Sequence, residues 1–294
     1  MKNRNKKIQI SLNLLFIIVC AVALFPLLLL VSVSISNEGD IAKYGYALIP
    51  RRIDFSAYSF ILKNPWSVIN AYKVTIAFSV IAMLMGVFFM SMIAYPLSKQ
   101  GFKGKNFVSF YLFFTMLFSG GLVPTYILIT QYLHLGDTLW VYILPALISP
   151  WYVFMMRTFF QSIPGEIGEA VLIDGGNEYI IFFRIILPLS KPVLATVALL
   201  LFLSKWNDWY TAMLYINDDR LVSLQYFLQR TLDNIEFIRN ADFANKEQLA
   251  EINEIPSESV RMAMAIVVAG PALFVFPFFQ KYFVKGLTVG SVKG

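Results

Sequence analysis

One cysteine and one histidine in 294 residues leave little for metal chemistry or nucleophilic catalysis. Cys20 alone excludes an internal disulfide and any multi-cysteine metal centre. It lies in an apolar run and reads as a small filler. His134 alone argues against a His-based metal site or a catalytic triad. Charge is scarce too: 14% of residues are charged, against about 25% in soluble domains. A phosphate loop is also missing. Gly104-Lys105 is the one Gly-Lys pair, and Asn106 stands where Ser or Thr is required, so ATP hydrolysis through that motif is excluded.

What is there is apolar. Hydrophobic residues make up 58% of the chain, more than a soluble fold of this size can hide, so the excess faces lipid. A span needs about 20 apolar residues, at about 1.5 Å each, to cross about 30 Å of hydrocarbon. Charge-free windows run over 8–37, 74–98, 106–136, 138–156 and 262–280, and a further apolar stretch, 192–217, is interrupted by Lys205 and Asp208. This pattern predicts six helices, at about 12–34, 72–97, 106–122, 138–158, 192–214 and 261–283. The first follows Lys2, Arg4, Lys6 and Lys7 but is about twice as long as a signal-peptide core of 7–15 residues, and no small-x-small cleavage site follows it. It reads as an uncleaved span with its N-terminus inside.

The net charge of +6 fits that orientation better than it fits nucleic acid. With six spans, the inside segments 1–10, 97–106, 157–191 and 281–294 hold thirteen of the 24 Lys and Arg, in short stretches, while the outside segments 35–71 and 215–260 are long. The chain then divides into a tail, first span and outer loop (1–71), a five-helix core (72–283) and an inner tail (284–294). Ser119-Gly120-Gly121 and Pro124 predict that the third span stops there and that a short interfacial helix, about 124–134, follows.

The inner connection, 159–191, is far longer than the usual 2–8 residues between packed helices. Ser162 is a candidate N-cap and Pro164 a candidate first-turn residue, with Glu166 and Glu169 near the positive helix end. Asp174-Gly175-Gly176 stops that helix, and Asn177 can cap a second one through Ile186. Pro188 and Pro192 bracket the start of the fifth span. Periodicity alone leaves two readings open: a helix that docks in a groove of another protein, or one that lies on the membrane surface. Lys205 and Asp208, three apart on one helix face, also leave two. They snorkel beside an aromatic belt of Trp206, Trp209 and Tyr210, or they join a polar and aromatic lining for a solute, with Asn207 or Asp208 bonding hydroxyls.

Glu169-Ala170-Val171-Leu172-Ile173-Asp174-Gly175-Gly176, followed by Ile186-Leu187-Pro188-Leu189-Ser190-Lys191-Pro192, resembles the EAA loop of binding-protein-dependent ABC importer permeases. Val171 and Gly176 depart from the family pattern, which has alanine at both places. Arg157-Thr158-Phe159-Phe160, Ser162-Ile163-Pro164, Trp206-Asn207 and the tail Gln280–Gly286 with Gly290–Gly294 resemble the carbohydrate-import branch. Phe118–Tyr126 and Leu224–Leu228 resemble a subgroup associated with complex polysaccharide fragments, including uronate-containing ones.

The resemblance implies an all-α integral membrane fold of six transmembrane helices with a cytoplasmic coupling helix, set in a bacterial cell membrane with both termini inside. It implies ATPase coupling through Glu166, Glu169, Ala170, Asp174, Gly175, Gly176, Leu187 and Pro188, and a translocation path near Trp206, Asn207, Asp208 and Trp209. It further implies a second homologous permease, two ATPase subunits that use ATP and Mg, and an external sugar-binding protein, with no cofactor held by this chain. A secondary transporter is the rival. It needs an ion site near the midplane, and the sequence has neither a mid-span acid nor an evident repeat. An intramembrane enzyme would need catalytic groups that the composition does not supply.

Overall fold

The computed structural model describes residues 2–240 and 257–290. In chain order its helices are α1 (Lys2–Ser34), α2 (Glu38–Tyr44), α3 (Ser56–Ile61), α4 (Pro65–Ser98), α5 (Lys105–Leu117), α6 (Leu122–Tyr132), α7 (Trp140–Ala146), α8 (Pro150–Gln161), α9 (Glu166–Ile173), α10 (Glu178–Leu189), α11 (Lys191–Trp206), α12 (Tyr210–Tyr215), α13 (Leu224–Asn240) and α14 (Glu258–Gly290). Residues 241–256 of the second outer segment and the Ser291–Gly294 end of the tail motif lie outside the described residues.

Three helices are long and apolar enough to cross a membrane unbroken: α1 from Gln9, α4, and α14 as far as Phe279. No residue from Gln9 to Val31 is buried, which only a lipid-facing or partner-facing helix tolerates over such a run of Leu, Ile, Val and Phe. The other apolar stretches are bent pairs: α5 with α6 at 114°, α7 with α8 at 46°, and α10 with α11 at 76°. Each pair passes the length test only when it is taken as one broken span.

The breaks correct three expected boundaries. The helix expected over 106–122 stops at Leu117, because Phe118 is extended and Gly121 takes φ +85°, a dihedral open to glycine. The chain then turns into α6, close to the interfacial helix expected at 124–134. The helix expected over 138–158 breaks after Ala146 and restarts at Pro150, whose missing N–H suits a first helical position. The helix expected over 192–214 ends at Trp206, since Asn207 and Asp208 offer the backbone side-chain partners that compete with a helix.

The chain divides into two compact units: residues 1–68 with 228–270, and residues 69–227 with 271–294. In the first, the segment between α1 and α4 is organised by charge. Arg52 grips Asp40 with two donors at 2.8 Å, Asn37 donates to Asp54 at 2.9 Å, and Ser36 pairs with Ile53. Glu38 caps α14 from more than 200 residues away. One carboxylate oxygen accepts the Glu258 N–H (2.9 Å) and the Ser257 hydroxyl (3.1 Å). The other accepts the Ser259 N–H (3.0 Å) and hydroxyl (2.7 Å). These are donors that a helix start leaves free, at its positive end.

Burial pushes the Glu38 pKa up, but the donors of Glu258, Ser259 and Ser257 outweigh it and hold the carboxyl below its ordinary value of 4.5. A pKa lowered by folding stabilises the fold above the unfolded value, and that contribution is lost as pH falls through the folded one. Glu38→Gln is therefore expected to lower stability by about 1 kcal/mol at neutral pH. In detergent melts the gap between native and variant closes as the pH drops below about 4. A gap that stays constant with pH would refute the cap.

The second unit packs in two layers. One joins α4, α8, α10 and α11 through Met90, Leu97, Val153, Phe160, Ile181 and Val197. The other joins α4, α7 and α12 through Phe78, Ala82, Tyr142, Ile143 and Ala212, with the rings of Phe78 and Tyr142 stacked 4.2 Å apart. Asp137, with φ +53°, accepts the backbone N–H groups of Asn217 and Asp218 and so ties the start of α7 to the exit of α12.

Candidate functional site: the inner loop and the break at Asn207

The 159–191 connection folds as a helix, a glycine turn and a second helix, with two corrections to the expected capping. Ser162 does not start α9. It ends α8, its hydroxyl donating to the Phe159 carbonyl at 2.7 Å. The same carbonyl accepts the Ser162 N–H at 3.0 Å, so both donors of Ser162 close the last turn of α8. Pro164 precedes α9 rather than sitting in its first turn, and Gly165 stands at the N-cap. Glu166 and Glu169 lie in the first turn, as expected.

The turn itself has two separate requirements for glycine. Gly175 takes φ +79° with open space around it, so its demand is on dihedral angle alone. At Gly176 the demand is on space: a Cβ would lie 2.5 Å from Val171 Cγ1 and 2.8 Å from the Val171 carbonyl oxygen. Val171 and Gly176 are the two departures from the family pattern, and the larger side chain at one fits the smaller at the other. Asn177 caps α10, its side-chain oxygen accepting the Ile180 N–H at 3.0 Å. Pro188 lies in the last turn of α10, beside Leu187, and Pro192 lies in the first turn of α11, so the chain bends between them at Ser190.

Every residue of α9 is at least partly exposed. Glu166, Glu169 and Ala170 on it, and Asp174 and Gly175 after it, are open to solvent, and so are Ile167, Leu172 and Ile173, the last at 86%. Beside it opens a cleft of about 1040 Å³, lined by Lys99, Phe160, Glu169, Leu172, Glu178 and Phe182 among others.

The second group does not form an open lining. Trp206 is buried at 2% exposure, its ring 5.6 Å from that of Phe202. Asp208 and Lys205 form an ion pair at 2.6 Å with side chains 9% and 13% exposed. Asp208 also accepts the Thr211 N–H (3.0 Å) and hydroxyl (2.9 Å), which starts α12. Ser223 donates to the Asp208 carbonyl at 3.0 Å. Asn207 is exposed and donates its amide back to the Leu203 carbonyl at 2.9 Å, while Trp209 is 39% exposed, edge-on to Tyr210. The structure thus leaves Asn207 and Trp209 facing outward and commits Trp206 and Asp208 to the fold.

Three residues beside the loop were not singled out from the sequence. The Tyr95 hydroxyl donates to Glu178 Oε2, and Lys99 Nζ lies 3.3 Å from the same oxygen. A charge cluster at the end of a span was visible, but a partner some eighty residues away was not.

No family model matches the chain. Individual relatives do. Protein LplC of Bacillus subtilis is 37% identical over 284 residues, covering 96% of this chain and 94% of that protein. The polygalacturonan/rhamnogalacturonan transport system permease protein YtcP of the same species is 34% identical over 295 residues, across the full length of both. Among solved structures, a bacterial ABC transporter involved in the import of the acidic polysaccharide alginate matches with a TM-score of 0.77 at 30% identity, over 95% of this chain and 97% of that one. Near-complete coverage at these identities, on an all-helical fold with the EAA-like turn in place, makes the chain a member of the carbohydrate-import branch of ABC transporter permeases.

Proposed function

We propose that this chain forms half of the membrane path of an ATP-driven importer of oligosaccharides, including uronate-containing ones, and draws its energy from a separate ATPase through residues 166–176. It is an integral membrane transport subunit and not an enzyme. The observation that carries the coupling role is α9 itself: a short helix on a glycine turn, with Leu172 and Ile173 uncovered and Glu169 at its positive end. Exposed apolar side chains ringed by charge suit a protein groove. In this reading Glu169 meets a basic residue of the ATPase, and Glu166, Ala170, Asp174 and the Gly175-Gly176 turn shape the docking tip. Leu187 and Pro188 set the angle into α11.

The three long helices and three bent pairs make six spans in this reading, with both termini on the inner side of a bacterial cell membrane. The core runs from 72 to 283, between an N-terminal portion, 1–71, and a tail, 284–294. A second permease completes the path, two ATPase subunits bind ATP and Mg, and an external sugar-binding protein delivers the solute. Asn207 and Trp209 are the side chains placed to meet a sugar, through a hydroxyl-bonding amide and a ring face. The names of YtcP and of the alginate importer support a uronate-containing substrate.

The test is uptake into vesicles carrying the whole importer, with labelled oligogalacturonate and, as a neutral comparison, raffinose. Uptake that needs ATP and no ion gradient is expected. Uptake driven by an ion gradient without ATP would establish the secondary-transporter alternative instead.

A further inference from the structure

We infer that the Tyr95–Lys99–Glu178 junction is the link through which movement of the coupling helix reaches α4, so that Glu178 is a positioning residue for transport; the inference rests on the coupling role proposed above.

Glu178 is the first residue of α10, two residues past the Gly175-Gly176 turn. Any rotation of α9 about that turn therefore passes to Glu178 before the rest of α10. Its carboxylate is held at two points on one oxygen, by the Tyr95 hydroxyl in the last turn of α4 and by the ammonium of Lys99, the residue just after α4, at 3.3 Å. Lys99 Nζ also lies 5.0 Å from the centre of the Tyr95 ring, so the two donors are set against each other. One turn further along α10, the Phe182 ring packs 5.2 Å from that of Tyr95. Lys99 also lies beside the coupling helix across the cleft, its Nζ 3.8 Å from where a Cβ on Gly168 would stand. One cation at the inner end of α4 thus sits against both helices of the loop.

The junction is poorly placed to stabilise the fold. Lys99 and Glu178 are 37% and 56% exposed, and exposed pairs contribute about 0–1 kcal/mol. Tyr95, by contrast, is buried at 8% exposure and anchored in the packed layer of α4, α8 and α10. A carboxylate that adds little stability yet ties a hinged segment to a rigid span has the arrangement of a transmission point.

The test uses the complete importer in vesicles, with ATP hydrolysis and oligogalacturonate uptake measured on the same preparation. Glu178→Gln is expected to fold, to retain the ATPase on purification, and to raise the ATP split per sugar carried about tenfold, the scale of one lost charge-assisted hydrogen bond. The exchange K99E/E178K, which restores opposite charges, is expected to return the ratio to within about twofold of the native value. A structural role moves hydrolysis and uptake together and leaves their ratio alone. A native-like ratio in Glu178→Gln, or a ratio in the exchange as high as in the single variant, overturns the inference while the proposed function stands. Native protein without ATP-driven uptake overturns both.

Discussion

Gly175→Asp and Glu169→Lys are each expected to abolish coupled uptake while the protein still reaches the membrane. The two act for different reasons. At Gly175 the backbone lies at φ +79°, where an L-residue costs about 1–2 kcal/mol and Asp is among the better tolerated. No atom lies within 4 Å of a Cβ there, so nothing clashes. A penalty of that size does not unfold a protein of this length. What changes is the proposed docking tip, which gains a bulky anion beside Asp174, close to the helix that carries Glu166 and Glu169. Glu169→Lys leaves the helix intact, since Glu and Lys have similar propensities. It reverses the charge presented to the partner. Losing one buried partner of an interfacial charge pair costs about 2–5 kcal/mol, or about 30-fold or more in affinity. The readouts are membrane level by immunoblot, ATPase recovered on purification, and uptake. Normal uptake in either variant sinks the coupling role of this loop.

The second large effect falls on stability. Asp208→Ala leaves Lys205, with its side chain 13% exposed, without the anion 2.6 Å away. Removing one member of a buried pair costs about 3–5 kcal/mol, because the remaining charge has neither water nor a partner. It also removes the acceptor for Thr211 that begins α12. Replacing both members, as K205M/D208L, is expected to recover most of the loss, since apolar pairs of similar volume often match buried ion pairs. Thermal melts in detergent decide this. If Asp208→Ala melts like the native protein and only uptake suffers, then Asp208 lines the path and the account of it as a structural clamp is wrong.

Local features were the legible ones. The Asp174–Asn177 turn could be placed residue by residue, because a positive φ at glycine and an Asx cap are settled by atoms within three or four positions. Lys205 and Asp208 could be placed on one face, being three apart, but neither reading of them, snorkelling or a solute lining, included the ion pair that they form. Ser162 was misplaced because two helix ends lie within reach of one hydroxyl. Sequence ranks both as caps, and only the folded backbone, which turns the hydroxyl onto the Phe159 carbonyl, chooses. The break after Leu117 was read from Gly120, Gly121 and Pro124 to within a few residues, whereas those at Leu147–Ser149 and at Asn207 were missed, because hydropathy reports solvent preference and not backbone direction.

Hydrophobic composition alone determined that this is a membrane protein, and the spacing of Glu, Gly and Pro between 159 and 192 determined that a helix, a glycine turn and a second helix lie there. Both follow from rules that act along the chain. Tertiary structure decided which polar groups meet across it. Glu38 caps a helix beginning at residue 258, Glu178 binds Tyr95 and Lys99, and Trp206 turns inward while Trp209 faces out. Such contacts join residues tens to hundreds of positions apart, and their geometry exists only once the spans have packed.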